Sequence, residues 1–82
     1  MFFLYILQST SSGRYYVGQS ENVQERLSYH NAGYSKALKN RGPWQLIYTE
    51  PYATRAAAVR RERQIKSWKD RSLIASLVGA SR

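Results

Sequence analysis

Side chains able to transfer a proton or bind an anion occur within the first 30 residues, among them Tyr5, Tyr16, Arg26 and His30. A phenol with a pKa of about 10 is protonated at neutral pH. Either tyrosine would therefore need a nearby cation, imidazole or metal-bound water before it could accept a proton. Each residue also has an ordinary structural use, since strand tyrosines are usually core residues. Acid–base chemistry depends on whether the fold brings the four together.

Glu62 is a single carboxylate within the basic run RRERQIK. Its neighbours Arg61, Arg63 and Lys66 could pair with it, and Lys66 stands four residues later, the favourable orientation for a helical ion pair. The residues alone favour this pairing. The other interpretation is a metal ligand, because Mg²⁺ commonly binds one or two carboxylates together with water and substrate phosphate. Both interpretations stay open from these residues.

Composition predicts one domain over residues 1–82, since so short a chain can build only one modest core. The net charge of +8 belongs to residues 36–82, which hold 11 basic and 3 acidic residues, whereas residues 1–35 sum to zero. Such a basic half attracts a polyanion, of which nucleic acid is the commonest, although excess charge also keeps proteins soluble. The chain has no cysteine and one histidine. Any metal would need oxygen ligands.

Targeting and membrane signals are missing from the sequence. No apolar run approaches the roughly 20 residues that cross a bilayer. The N-terminus also lacks the basic flank and small-residue cleavage site of a signal peptide. We therefore expect a cytoplasmic protein.

A β-hairpin is predicted over about residues 2–18. FFLYILQS is short, aromatic and branched, as in a strand, SSG is typical of a turn, and RYYVG predicts the second strand. Because side chains alternate along a strand, Tyr5 and Leu7 should share one face of the first strand, and Leu4 and Ile6 the other.

A first helix is predicted at about residues 22–32. Asn22 followed by Glu25 three residues later is a capping pattern, and NAG supplies a stop. Arg26 and His30 lie four residues apart and share one helical stripe. Both side chains can therefore point to the same place.

The rest of the chain predicts a loop, a strand and two helices. YSKALKNRGPW lacks periodicity, whereas WQLIYTE alternates as a strand with Trp44, Leu46 and Tyr48 on one face. RAAAVRRERQIKSW, after the N-cap Thr54, predicts the second helix, and RSLIASLV, capped by Asp70, predicts the third. The order β-β-α-β-α-α favours a small antiparallel or mixed sheet carrying helices.

Taken in order, LYI, YYVG, ERLSYH, GPWQLIYTE and RAAAVRRERQIKSWKDR resemble the GIY-YIG nuclease superfamily over nearly the whole chain. More specifically, the chain is similar to the compact single-domain bacterial group of predicted endonucleases of the UvrC-Intron type. The Y-I and Y-V-G fragments are weak signals separately. Their order, with an R-x-x-x-H helix and a downstream R-E helix, makes the resemblance specific.

The resemblance implies an α+β fold, in which a small three-stranded antiparallel sheet is flanked by helices and the motif tyrosines lie on neighbouring strands. It also implies a metal-dependent endonuclease that hydrolyses phosphodiester bonds in nucleic acid, in DNA before RNA and in structured or branched substrates. The implied cofactor is Mg²⁺ or Mn²⁺. DNA repair or recombination is the implied process.

Carried over by position, the implied catalytic residues are Tyr5, Tyr16, Arg26, His30 and Glu62. Glu62 would hold the metal, and Arg26 would stabilise the charge of the transition state. Tyr5, Tyr16 and His30 would activate water. Which of these three is the general base stays open.

The chain departs from the family pattern in three places. LYI replaces the glycine-starting motif, Val17 stands where the second motif has isoleucine, and no asparagine follows Glu62 where larger members have one. The missing asparagine leaves open a non-catalytic, basic nucleic-acid-binding module on the same fold. A basic adaptor for acidic proteins is a third possibility. Cleavage that depends on a divalent metal would separate the nuclease from the other two.

The residues predicted to bind the nucleic-acid backbone are Lys36, Lys39, Arg41, Arg60, Arg63, Lys66 and Lys69. We expect salt-sensitive binding that recognises shape more than sequence. Trp44 and Trp68 are predicted to be core residues. The expected partner is nucleic acid, without membrane association, and the expected state is a monomer.

Overall fold

The computed structural model describes residues 1–33 and 42–80 of the chain. Its elements are β1 (Phe2–Ser9), β2 (Tyr15–Ser20), α1 (Val23–Asn31), β3 (Trp44–Tyr52), α2 (Arg55–Lys66) and α3 (Arg71–Ala80). The order β-β-α-β-α-α and the α+β class confirm the sequence predictions. The loop predicted for YSKALKNRGPW falls largely outside the described residues.

The strands form one antiparallel sheet in the order β2-β1-β3. The central strand β1 is buried on both faces, which explains why its sequence is apolar at consecutive positions. Leu4 and Ile6 face one way, while Tyr5 and Leu7 face the other, as the predicted alternation requires. The sheet therefore supports one hydrophobic core on each side.

The first core lies between the sheet and the helices α2 and α3. Its buried residues are Leu4, Ile6, Val17, Ile65 and Val78. The second core lies between the sheet and α1. Its buried residues are Tyr5, Leu7 and Trp44, with the partly buried Tyr16, Val23, Leu27 and Leu46 packed against them.

A β-bulge in β3 overturns one detail of the predicted alternation. Ile6 pairs with Tyr48, but the next residue, Leu7, pairs with Leu46, so Ile47 is an extra residue. An extra residue reverses the side-chain alternation beyond it. Ile47 and Tyr48 therefore both pack against the first core, while Leu46 packs against the second. The prediction that Tyr48 shares a face with Leu46 was wrong.

The helix ends largely follow the predicted signals. The Asn22 side chain accepts a hydrogen bond from the Glu25 amide at 3.1 Å and caps α1, which ends just before Gly33 at φ +84°. Thr54 caps α2 in the same way through the Ala57 amide. These ends fix the direction in which each helix leaves the sheet.

Among residues 1–33 and 42–80, no helix has the length and apolar composition needed to span a bilayer.

Candidate active site

Three predicted catalytic side chains form one cluster on the second-core face of the sheet. Tyr5 Oη lies 3.2 Å from His30 Nε2, within hydrogen-bond distance. The rings of Tyr16 and His30 pack edge to face with centroids 5.0 Å apart, and the centroids of Tyr5 and Tyr16 lie 6.3 Å apart. Two strands and one helix thus bring two phenols and an imidazole together.

Gly18 makes room for the central phenol of this cluster. Tyr5 on β1 pairs directly with Gly18 on β2. A Cβ at position 18 would lie 2.6 Å from Tyr5 Oη, a distance that real Cβ atoms do not show. The glycine of YYVG therefore allows the Tyr5 ring to lie across the neighbouring strand.

Burial controls the ionisation of Tyr5. The residue is 1% exposed, and this burial, together with repulsion from Tyr16, raises the pKa of its phenol above 10.0. A hydrogen bond and the positive charge of Arg26 lower the pKa, and the more distant charge of Glu62 raises it slightly, but burial dominates. Tyr5 is therefore protonated at neutral pH.

His30 is a neutral imidazole in this environment. The residue is 2% exposed, and burial first, then the charge of Arg26, lowers its pKa below 6.5. Its buried Nδ1 has no hydrogen-bond partner among the described residues. The hydrogen bond to Tyr5 Oη therefore uses Nε2, and its direction follows from the tautomer of the ring.

Arg26 lies beside the cluster on the same stripe of α1. Its guanidinium stacks over the ring of Tyr29 at 4.7 Å from the centroid. Its charge acts on both Tyr5 and His30, which places it close to both groups. Helical spacing of three and four residues accounts for these neighbours.

Arg26 also lines a cleft of about 390 Å³ at the start of α1. The residues that line this cleft are Gln19, Ser20, Glu21, Asn22, Glu25, Arg26 and Arg55. Two arginines face two glutamates there, and Arg55 forms a 3.7 Å ion pair with Glu21. The cleft is polar but has balanced charge.

Glu62 comes to the site from α2. Its Oε2 accepts a 2.7 Å hydrogen bond from Lys66 Nζ, so the ion pair expected at i,i+4 is present. Lys66 Nζ also lies 5.7 Å from the ring centroid of Tyr16, which connects this pair to the phenol cluster. The Glu62 side chain is 21% exposed and can be reached by solvent. The role of Glu62 as a metal ligand stays a prediction.

The donor chemistry limits how a metal ion could be held. Within residues 1–33 and 42–80 there is no group of three or more His, Cys, Asp or Glu side chains that could hold an ion. A site at Glu62 would therefore use one carboxylate together with water and substrate oxygens, a pattern that suits Mg²⁺.

Arg61, one of the partners considered for Glu62, pairs elsewhere. Its Nε donates to Glu50 Oε1 at 2.9 Å and its Nη2 to Oε2 at 3.1 Å. The hydroxyls of Tyr48 and Tyr52 donate to the same carboxylate. This cluster attaches α2 to β3. It thereby orients α2 so that Glu62 lies on the side of the helix near the phenols.

The predicted backbone-binding residues are distributed unevenly. Arg60, Arg63 and Lys69 are exposed on or just after α2, and Lys66 is exposed but engaged with Glu62. Lys36, Lys39 and Arg41 lie outside the described residues. Trp44, at 4% exposure, is a core residue as predicted, whereas Trp68 is only partly buried against the first core.

Sequence reasoning missed Tyr29 and Asn31 on α1. Tyr29 is 40% exposed and stacks with Arg26, which a spacing of three residues could have suggested. The Asn31 side chain donates to the Trp44 carbonyl at 2.9 Å and accepts from its amide at 2.7 Å, joining α1 to β3. No local pattern indicates a contact across 13 residues.

Comparison with known proteins identifies the family of the chain. Residues 1–74 match the GIY-YIG catalytic domain. UPF0213 proteins of Staphylococcus aureus strains Mu50 and N315 are each 39% identical over 67 residues, covering 80% of this chain and 80% of theirs. The solution structure of the UPF0213 protein BH0048 of Bacillus halodurans aligns with a TM-score of 0.57 at 30% identity, covering 94% of this chain and 85% of that one. The chain therefore belongs to the GIY-YIG catalytic-domain family, whose role is nuclease-type cleavage of nucleic acid.

Proposed function

We propose that the protein is a metal-dependent endonuclease that hydrolyses phosphodiester bonds, in DNA rather than RNA. One observation carries the proposal: two phenols and a neutral imidazole meet beside Arg26, with the only described carboxylate of α2 near the same phenols. A core that served packing alone would not need this combination of buried polar groups. The proposal implies nucleic acid as the substrate class, DNA repair or recombination as the process and the cytoplasm as the compartment.

Tyr16 is the proposed proton acceptor. The pKa of Tyr5 is raised by burial, which makes Tyr5 a poor base at neutral pH, whereas Tyr16 is less buried and lies beside a lysine ammonium. Tyr16 would first release its phenolic proton to solvent. Water would then attack phosphorus and lose a proton to the Tyr16 phenolate, while the bond from phosphorus to the 3′ oxygen breaks and that oxygen takes a proton from solvent. His30 and Tyr5 would position the Tyr16 ring.

Arg26 is the proposed phosphate ligand. Its guanidinium is oriented by stacking on Tyr29 and lines the cleft that opens at the start of α1. A fixed fork of donors suits two non-bridging phosphate oxygens and offsets charge that develops in the transition state. The same charge helps to keep His30 neutral.

Glu62 is the proposed metal ligand. Its carboxylate supplies the oxygen donor that Mg²⁺ or Mn²⁺ prefers, and it lies at a solvent-accessible position near the phenols. When bound, such an ion supplies Lewis-acid polarisation of the phosphate and stabilisation of the leaving oxygen. Lys66 shares this carboxylate and would compete with the ion for it.

The test is cleavage of labelled single-stranded, duplex and branched DNA and of RNA in Mg²⁺, Mn²⁺ or EDTA. Wild type is compared with Glu62→Gln, which keeps the shape of the side chain but removes its charge. We expect cleavage that requires metal and is lost in the variant. Equal background cleavage by both proteins, with binding retained, would overturn the proposal.

A non-catalytic nucleic-acid-binding module is the second candidate. The 2.7 Å ion pair between Glu62 and Lys66 favours it, because a carboxylate that is already neutralised needs no metal. In that case nucleic acid would be retained in a salt-sensitive way and released intact, whether or not metal is present.

A further inference from the structure

A basic groove lies on the other face of the edge strand from the phenol cluster. It has a volume of about 270 Å³ and is formed where β2 meets the segment between α2 and α3. The residues that line it, here called the Trp68 groove, are Arg14, Tyr15, Trp68, Lys69, Arg71 and Ile74. The proposed reaction uses none of them.

The lining of the Trp68 groove has three cations and no carboxylate. The cleft beside Arg26 differs, because glutamates there balance its arginines. Asp70 is the acid nearest in sequence to the groove, but its carboxylate accepts a 2.9 Å hydrogen bond from the Ser72 amide at the start of α3. The groove is therefore a concentrated positive site that attracts an anion.

Contacts within the protein hold the wall of the groove in place. Arg71 donates to the Gly13 carbonyl at 2.8 Å, and its guanidinium lies 5.3 Å from the ring centroid of Tyr15. Trp68 packs against the first core, and the guanidinium of Arg61 lies over its ring, 5.7 Å from the centroid. Aromatic and aliphatic surface thus lies beside fixed positive charge.

This combination matches the chemistry of a nucleotide. A phosphate can be held by lysine and arginine, while a base can stack on an aromatic ring without recognition of its identity. A base is available for such stacking only when it is unpaired. An acidic peptide would use the charges but would have less use for the partly exposed rings of Tyr15 and Trp68.

The edge strand connects the groove to the proposed active site. Tyr15 in the groove and Tyr16 in the phenol cluster are consecutive residues of β2, which is at the edge of the sheet. Lys66 lies over Tyr16, and Lys69 lines the groove three residues later. A strand lying along this edge would meet both places.

We propose that the Trp68 groove is a second binding site, which takes an unpaired nucleotide of the substrate strand away from the phosphate that is cut. This inference rests on the proposed function only in requiring a nucleic-acid partner. It requires neither metal nor cleavage. The site would select substrates with a single-stranded or flexible segment next to the cut.

Trp68 provides a direct probe, because the other tryptophan, Trp44, is 4% exposed in the core. Tryptophan fluorescence is measured in EDTA while an oligothymidylate is added, and again with an abasic oligonucleotide of equal charge. We expect quenching by the oligothymidylate, much weaker quenching by the abasic strand, and loss of the signal in Trp68→Phe. Anisotropy of a labelled oligothymidylate measures affinity independently of Trp68.

Lys69→Gln and Arg55→Gln remove the same charge inside and outside the groove. For Lys69→Gln we expect weaker binding and quenching only at higher oligothymidylate concentration. The slope of the logarithm of the binding constant against the logarithm of the salt concentration should be smaller by about 0.7. Arg55→Gln should change the quenching less. Equal quenching by the abasic strand, or a quenching curve that Lys69→Gln leaves unchanged, would overturn the inference. Quenching without cleavage in Mg²⁺ would support the groove while refuting the nuclease.

Discussion

Tyr5 Oη and His30 Nε2 lie 3.2 Å apart across the boundary between the central strand β1 and helix α1, and both residues are almost completely buried. The contact joins residues 25 positions apart and is a polar link between β1 and α1. Because the two side chains hydrogen-bond to each other, the pair orients both rings against Tyr16.

Removal of each phenol oxygen should have a different effect. Tyr16→Phe should lower single-turnover cleavage by about 10²- to 10⁴-fold, the usual contribution of a general base, while binding in EDTA is unchanged. Tyr5→Phe should lower the free energy of unfolding by about 1 kcal/mol, since His30 Nε2 loses its buried partner. Single-turnover assays and urea unfolding measure the two effects. If Tyr5→Phe abolished cleavage and Tyr16→Phe did not, the proton acceptor would be Tyr5.

Gly18→Ala should disturb the site through steric overlap. The new methyl group would lie 2.6 Å from Tyr5 Oη, so the ring must move, at a cost of about 1–3 kcal/mol in unfolding free energy. Cleavage should fall with it. Gly79→Ala is the matched control, because nothing lies within 4 Å and alanine favours the helix by up to about 1 kcal/mol. Urea unfolding of both variants decides the matter, and a Gly18→Ala protein as stable as wild type would contradict this packing.

His30 should make stability depend on pH near neutrality. Its folded pKa is lowered, so the unfolded chain binds a proton more readily than the folded protein below the ordinary value of 6.5. Stability is therefore complete above pH 6.5 and falls as the pH drops from there toward the folded pKa. Unfolding free energies of wild type and His30→Gln between about pH 5 and 8 measure this dependence. A wild-type curve parallel to that of the variant would show that His30 is not buried as a neutral ring.

Glu50→Gln should destabilise the fold more than Glu62→Gln does. Burial raises the pKa of Glu50, but the hydrogen bonds from Arg61, Tyr48 and Tyr52 have the larger combined effect. The net result is a pKa below the ordinary value of 4.5. We expect a loss of about 2 kcal/mol from the broken charge-assisted bonds. The more exposed Glu62 pair with Lys66 is worth about 0.5 kcal/mol or less. Urea unfolding at neutral pH compares them, and equal losses would contradict the anchoring role of Glu50.

The stabilising contribution of Glu50 should also disappear in acid. Since its folded pKa is lowered, the contribution is present above pH 4.5 and is lost as the pH falls through the folded pKa. Burial first, and then the hydrogen bond and charge of the same carboxylate, raise the pKa of Tyr48 to about 12. Tyr48 therefore stays protonated and donates to Glu50 throughout the neutral range.

Local patterns were enough to predict most of the fold. Alternation along β1 correctly separated Tyr5 from Leu4, because that strand is regular and packed on both faces. The Asn22 cap and the pairing of Glu62 with Lys66 were also predictable, since both depend on spacings of three or four residues. The family resemblance indicated which residues on these elements are candidate catalytic groups.

Features that depend on contacts between distant residues were not predictable from local patterns. The extra residue Ile47 changes the register of β3, but nothing in WQLIYTE indicates a bulge. Arg61 pairs with Glu50, 11 residues away, whereas the sequence suggested it as a partner of the adjacent Glu62. The sequence indicates Gly18 only as the last residue of a predicted strand. Its role in making room for the Tyr5 ring depends on the neighbouring strand.

The position of Tyr5 on β1 has a consequence for how the protein can change. The strand that carries this phenol also separates the two cores and pairs with both other strands, so the backbone under the site has no independent freedom to open. Amide hydrogens of β1 should exchange only through global unfolding. A substitution on β1 would therefore affect both the active site and the stability of the fold. Changes that alter substrate preference alone are expected on the surface around the edge strand.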